Sequence, residues 1–272
     1  MKLKDNTVFI TGGSRGIGRA IALKLASAGA NITIAAKSVE EDPRLGGTIY
    51  SVAKEIESAG GKALPVQCDI RFEEQVNAAV EKTVETFGGI DILINNASAI
   101  NLNNTKNLSS KQFDLMHQIN IRGTFLAGKA CLPHLIKSEN AHILTLSPPI
   151  NLDKKWLKNS AAYTISKYGM SMLTLGWAED YADYNLAANC LWPMTTIDTA
   201  AVRNLLGGEK LANMSRKPAI VADAAFAILT KTKETYNGEC LTDEQVLKAE
   251  GITDFDKYAV KKGEQLYPDM FL

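Results

Sequence analysis

At 272 residues, 46% hydrophobic and 22% charged, the chain has length and composition for one large α/β core. Its 30 acidic and 30 basic residues cancel, which removes a charge-driven case for nucleic acid or an anionic membrane surface. The start MKLKDNTVFI reaches glycine by Gly12, too soon for a signal peptide, and no apolar run is long enough to span a bilayer, so a cytoplasmic protein is expected.

In chain order, short β-branched runs at Val8–Thr11, Ile32–Ala35, Leu64–Gln67, Ile92–Asn95, Ile143–Leu146 and Ala188–Leu191 read as strands. Helix-period segments lie between them, near Gly16–Ala28, Thr48–Ala59, Glu73–Phe87, Ser109–Ile136 and Ala161–Tyr181. This alternation predicts a single-domain α/β protein with a doubly wound parallel sheet and helices on both faces. From about Met194 the pattern loosens. Residues 194–218, with Gly207 and Gly208, suit a mobile substrate loop with a short helix over a pocket. Phe255, Tyr258, Tyr267 and Phe271 give the tail enough aromatic surface to pack back on the body.

The four cysteines, Cys68, Cys131, Cys190 and Cys240, form no C-x-x-C pair and read as small buried apolar residues of a reducing compartment. His117, His134 and His142 are scattered in sequence, and no metal site is expected.

The first strand runs into TGGSRGIG at 11–18, followed by a helical segment. That placement puts backbone N–H groups and the positive end of a helix at the carboxyl end of a strand, where a pyrophosphate fits. Gly12, Gly16 and Gly18 allow a tight turn and close approach of backbone to phosphate. The spacing is G-x-x-x-G-x-G, and a plain strand-to-helix turn or a methyltransferase cofactor turn is the alternative. At the end of the second strand, where an acid would bind the ribose 2′-hydroxyl of NAD, the chain has Lys37. Lys37 with Arg15 would attract the 2′-phosphate of NADP, so NADP(H) is the expected cofactor; otherwise both are solvated surface cations.

Three Tyr-x-x-x-Lys pairs occur, YSVAK at 50–54, YTISK at 163–167 and YAVKK at 258–262. Only Tyr163-Lys167 opens the helix after the fifth strand, with Ser147 at that strand's carboxyl end. The other two read as surface pairs. Tyr163 and Lys167 fall on one helix face, an arrangement suited to moving a proton to or from a carbonyl oxygen. Free tyrosine is too weak a base at neutral pH, and one nearby ammonium supplies about the 4 kcal/mol needed to lower it three units.

TGGSRGIG, NNAS at 95–98, Asn120 in HQINIRG, Ser147 and YTISK stand in the order seen in short-chain dehydrogenases/reductases, and from Lys4 to Leu241 the chain resembles that family. The resemblance implies a Rossmann-type fold and a carbonyl or alcohol substrate. It implies that Tyr163 is the general acid/base, that Lys167 lowers its pKa and holds the ribose, that Ser147 polarises the substrate oxygen, and that Asn120 holds a relay water. It further implies cofactor contacts from Gly12, Ser14, Arg15, Gly16, Ile17 and Gly18 in the turn. Asp69 and Ile70 would meet the adenine side and Asn96 and Ala97 the middle of the cofactor, with Ile197 and Thr199 at the nicotinamide. The chain departs from the usual pattern at Ser98 and at Pro193-Met194. A Rossmann-type module that senses NADP(H) without turnover is the rival reading.

LGGTIYSVAKEIE and SPPINL resemble the hydroxysteroid dehydrogenase-like branch, whose longer members add a sterol-carrier-like lipid domain; with the sequence reading to Leu272, that domain is expected to be absent. The enlarged loop PPINLDKKWLKNS is expected to bring Ile150, Leu152, Trp156 and Leu157 to the mouth of the site, and Lys154, Lys155 and Lys158 to an anionic substrate handle. The plainer alternative is a solvated basic turn with Trp156 packed into the body. Family resemblance also implies that the two longest helices pair across two-fold axes, giving a homodimer or homotetramer.

Overall fold

The computed structural model describes residues 3–272, the Leu205 side chain excepted. The chain opens with β1 (Thr7–Thr11), α1 (Gly16–Ser27), β2 (Asn31–Ala36), α2 (Ile49–Ser58), β3 (Lys62–Gln67), α3 (Glu73–Phe87) and β4 (Ile92–Asn95). It continues through α4 (Ser110–His117), α5 (Gly123–Leu135), β5 (Ala141–Thr145), α6 (Lys154–Leu157), α7 (Ala161–Asp180) and β6 (Leu186–Trp192). α8 (Gly208–Asn213), α9 (Ala219–Leu229), β7 (Cys240–Thr242) and α10 (Asp243–Ala249) complete it. Among the described residues, seven strands form one parallel sheet in the order β3-β2-β1-β4-β5-β6-β7.

The central strands are buried on both faces, which is why they read as unbroken apolar runs and not as alternating ones. One face is covered by α1, α2, α9 and α10 through Ile21, Leu25, Ile56, Ile220 and Ile228. The other is covered by α3, α5 and α7 through Val76, Val80, Cys131, Leu135 and Trp177. Capping boxes at Thr48 and Ser109 fix the starts of α2 and α4.

The structure differs from the sequence reading at several places. The segment 109–136 is not one α-helix, because a π-helical turn at Gln118–Arg122 separates α4 from α5. The widened turn contains Asn120, and such turns recur at functional sites. β7 was not foreseen; three residues carry no periodicity of their own, and only pairing with β6 makes them a strand. Tyr258 is not part of a surface pair. It is 3% exposed and its hydroxyl donates to Asp223 Oδ2 at 2.7 Å, whereas Tyr50 is exposed as expected. Cys240 is only half-buried, while the other three cysteines are buried and all four are free.

Candidate active site

The carboxyl ends of β1, β4, β5 and β6 converge on one cleft. At its base, the Thr11 hydroxyl donates to Ile94 O at 3.3 Å and accepts from the backbone N–H of Asn96 and Ala97, each at 3.1 Å. The Asn96 side-chain amide donates to Thr11 O at 3.0 Å and Gly12 O at 2.9 Å. Asn96 therefore spends its amide on locking the glycine turn to β4, and Thr11, which the sequence reading did not single out, organises both.

The glycines are required by geometry. Gly12 adopts φ 68° and a Cβ there would lie 2.8 Å from Ala97 Cα; at Gly18 it would lie 2.4 Å from Asn96 Nδ2. Gly16 adopts φ 56° and sits under Thr199. The result is a bare backbone cradle with Ser14 buried beside it, leading into the N-terminus of α1. A dinucleotide pyrophosphate fits such a cradle by size and sign.

Arg15 is extended at the start of α1 and its Nη2 donates to Ser38 Oγ at 2.5 Å, which places it against the residue after Lys37. Lys37 is exposed and, among the described residues, makes no ion pair. Ser38 is a further polar group here that the sequence reading missed. Asp69 accepts from Arg71, with Nη2 at 2.6 Å; that guanidinium holds its carboxyl below the ordinary range, and Lys37 adds to the pull. Ile70 is buried against Gly123.

Tyr163 and Lys167 lie in the first two turns of α7, 5% and 2% exposed. The Lys167 ammonium donates to Leu146 O at 2.5 Å, next to Ser147, and sits 5.1 Å from the Trp192 ring centroid. Burial lowers Lys167 to about 7, with Cys190 and Asp269 pulling the other way. Burial, and then the charge of Asp269, pushes the Tyr163 hydroxyl above its ordinary value. The expected lowering of Tyr163 by Lys167 is not seen in this geometry, where desolvation is the largest influence on both groups. Ser147 Oγ is buried and, among the described residues, has no nitrogen or oxygen hydrogen-bond partner, with the Cys190 sulfur beside it. A hydroxyl left unsatisfied at the end of a strand is a ready donor for a ligand oxygen. Asn120 is fully buried, its side chain bonded to both the N–H and C=O of Ala99 and to Ser166 Oγ.

A pocket of about 720 Å³ opens in front of Tyr163. Ile17, Ile197 and Thr199 line it, as do Val202, Leu211 and Met214 from the 194–218 segment. That segment forms the pocket wall with a π-helical turn at Val202–Leu206 followed by α8. The 148–160 loop does not line it. Trp156 turns away to pack at 5.8 Å from Phe271, Lys155 Nζ donates to Leu272 O at 3.1 Å, and Leu152 is 74% exposed. The opposite wall comes instead from the tail, through Tyr267, Asp269 and Met270. Among the described residues there is no cluster of metal-ligating side chains and no helix long and apolar enough to cross a membrane.

The sequence and fold match known proteins. A family model described as short chain dehydrogenase matches residues 6–209. The chain is 58% identical over its whole length to hydroxysteroid dehydrogenase-like protein 2 of Xenopus laevis, and it spans 64% of that curated relative's length. A crystal structure of a short chain dehydrogenase from Mycobacterium thermoresistibile superposes with a TM-score of 0.94 at 51% identity, covering 99% of this chain and 96% of that one. A metagenomic short-chain oxidoreductase solved in complex with NADP superposes with a TM-score of 0.73 at 26% identity, covering 89% of this chain and 98% of that one. With the glycine cradle, the buried Ser147 hydroxyl and the Tyr163-Lys167 pair at the carboxyl ends of a seven-stranded parallel sheet, these matches place the chain in the short-chain dehydrogenase/reductase family of oxidoreductases.

Proposed function

We propose that the protein is an NADP(H)-dependent reductase of apolar, lipid-derived carbonyl compounds. The observation that carries this reading is the Tyr163 hydroxyl facing a pocket of about 720 Å³ whose lining is largely aliphatic and aromatic. The cofactor, when bound, supplies the hydride that adds to the carbonyl carbon. Tyr163 gives its hydroxyl proton to the carbonyl oxygen, and Ser147 donates a hydrogen bond to the same oxygen as charge develops there. Lys167 would hold the ribose of the bound cofactor and pass a proton to Tyr163 for the next cycle, regaining it from solvent through a relay water. Asn120, on the π-helical turn, is the residue that would seat that water toward Lys167. Asp69 and Ile70 border the adenine side, and Ile197 and Thr199 the nicotinamide.

The test is NADPH oxidation across a panel of medium- and long-chain ketones and aldehydes. Tight NADPH binding with no turnover on any of them would favour a cofactor sensor. Lys37 and Arg15, with Ser38, form the group suited to a 2′-phosphate. Losing one charge-assisted contact costs about 1.5–3 kcal/mol, so Lys37→Ala should weaken NADPH binding about tenfold or more and leave NADH nearly unchanged. Equal loss for both cofactors would show that Lys37 does not read the phosphate.

The outer faces of α5 and α7 support self-association. Phe125, Ile165 and Met172 are 44%, 54% and 59% exposed, more apolar surface than a helix facing water carries. A homodimer or homotetramer is expected by light scattering at micromolar concentration, and Ile165→Glu with Met172→Glu should reduce it to monomer. A wild-type monomer mass would contradict the pairing.

A further inference from the structure

The wall formed by residues 267–270 is remote in sequence from the rest of the pocket, and a set of hydrogen bonds holds it there. Tyr267 N donates to Met214 O at 2.8 Å, Thr196 N to Tyr267 O at 3.0 Å, and Asp269 N to Met194 O at 3.1 Å. The Trp192 indole donates to Met270 O at 2.9 Å. Behind this strap Phe271, fully buried, is wedged among the rings of Trp156, Tyr163, Tyr168 and Trp192 at centroid distances of 5.8, 6.1, 5.3 and 5.8 Å. Its backbone sits at φ 77°, a left-handed conformation that a bulky residue keeps only when its surroundings over-determine it. The strap is rigidly placed.

It presents one carboxyl to the pocket, Asp269. Oδ1 accepts from the N–H of its own neighbour Met270 at 2.7 Å, and among the described residues no other hydrogen bond or ion pair holds the carboxyl. Burial raises Asp269 to about 7; the Met270 N–H and Lys167 pull it down, and Asp243, which starts α10, pushes it up. Asp269 lines the same pocket as Tyr163 and Leu146, its neighbour Met270 accepts from the Trp192 indole, and Lys167 sits 5.1 Å from that ring, which sets the carboxyl on the side of the reacting groups. A half-buried carboxyl with one oxygen unspent is costly beside Ile17, Leu146, Ile197 and Met214, although Thr196 and Lys210 also line this pocket. A ligand that donates to it relieves that cost.

We propose that Asp269 is a specificity-determining residue. Its carboxyl accepts a hydrogen bond from a hydroxyl group close to the reacting carbonyl, selecting hydroxy-ketones and the corresponding diols over plain ketones and alcohols of the same chain length. The same charge disfavours a substrate carboxylate at that position. The inference rests on the oxidoreductase reading above and adds the substrate feature recognised beside the carbonyl.

Steady-state reduction of 2-octanone and 1-hydroxy-2-octanone with NADPH tests it in the wild type, Asp269→Asn and Asp269→Leu. Wild type should favour the hydroxy-ketone by about tenfold or more in kcat/KM, the size of one hydrogen bond to a charged group. Asp269→Leu should erase that preference, read as the ratio of kcat/KM for the two ketones, with Asp269→Asn between the two because its amide oxygen still accepts. Titration of octane-1,2-diol and octan-2-ol into the protein with NADP+ gives the same comparison without turnover, and thermal melts check that each variant is folded. No turnover of either ketone, together with a diol preference that Asp269→Leu abolishes, supports Asp269 and overturns the reductase reading. An unchanged hydroxyl preference in the folded variants, or equal loss on both members of each pair, overturns the role of Asp269.

Discussion

Tyr163→Phe is expected to lower kcat/KM for carbonyl reduction by about 10³-fold or more while leaving NADPH affinity within about twofold. The substitution removes only the hydroxyl. The ring keeps its place beside Phe271, and no protein hydrogen bond to the hydroxyl is lost among the described residues, so the fold should be unaffected. Because burial raises the Tyr163 hydroxyl above its ordinary value, the proton-donating form persists through neutral and mildly alkaline pH. Reduction should therefore hold its rate across that range. Oxidation of an alcohol, which needs the deprotonated form, should climb with pH. Initial rates in both directions over a pH series check this, and residual reduction within about tenfold of wild type would remove Tyr163 from the proton-donor role.

Lys167→Met is expected to abolish turnover and, at pH 7, to raise the melting temperature. Burial brings Lys167 down to about 7, against an ordinary lysine value of about 10.4 in the unfolded chain. Between those values the unfolded chain binds more protons than the folded one, so the stability contribution of this group rises with pH. Its cost is complete below about pH 7 and vanishes above about 10. The full difference corresponds to at most about 5 kcal/mol. Loss of the hydrogen bond to Leu146 O, and of the cation facing Asp269, offsets part of it, leaving a gain of about 1–3 kcal/mol, or several degrees. Thermal melts from pH 6 to 10 should show the advantage of the variant shrinking toward the alkaline end. A variant no more stable than wild type at pH 7, with the same pH slope, would mean that the buried ammonium is not a burden. If the gain appears, the site holds a charge that stability alone would remove.

The parts of the site that were legible in the sequence are those whose geometry is local. Gly12, Gly16 and Gly18 share one turn, and Tyr163 and Lys167 share one helix face, so spacing along the chain stands in for distance in space. Ser147 could be placed because strand ends are short and ligands gather at carboxyl ends. Where an outcome depended on a distant partner, spacing misled. The apolar and basic residues of 148–160 looked like a pocket mouth, yet Trp156 is drawn to Phe271, 115 positions later, and Lys155 to the Leu272 carbonyl, |i−j| 117. Tyr258 looked like half of a surface pair until Asp223, on α9, was found to hold its hydroxyl.

By itself the sequence determined the strand-helix alternation, the parallel sheet that follows from it, the glycine cradle and the Ser-Tyr-Lys set, because each rests on periodicity or on neighbours within a turn. Tertiary structure alone decided the rest. β7 exists only through its pairing with β6, Asn96 is spent on Thr11 and Gly12, and the pocket wall is a tail strap carrying Asp269 toward Tyr163. Burial is likewise a property of the assembled core and not of any residue type, which is why Lys167 and Tyr163 are displaced from their ordinary ionisation in directions that no spacing rule predicts.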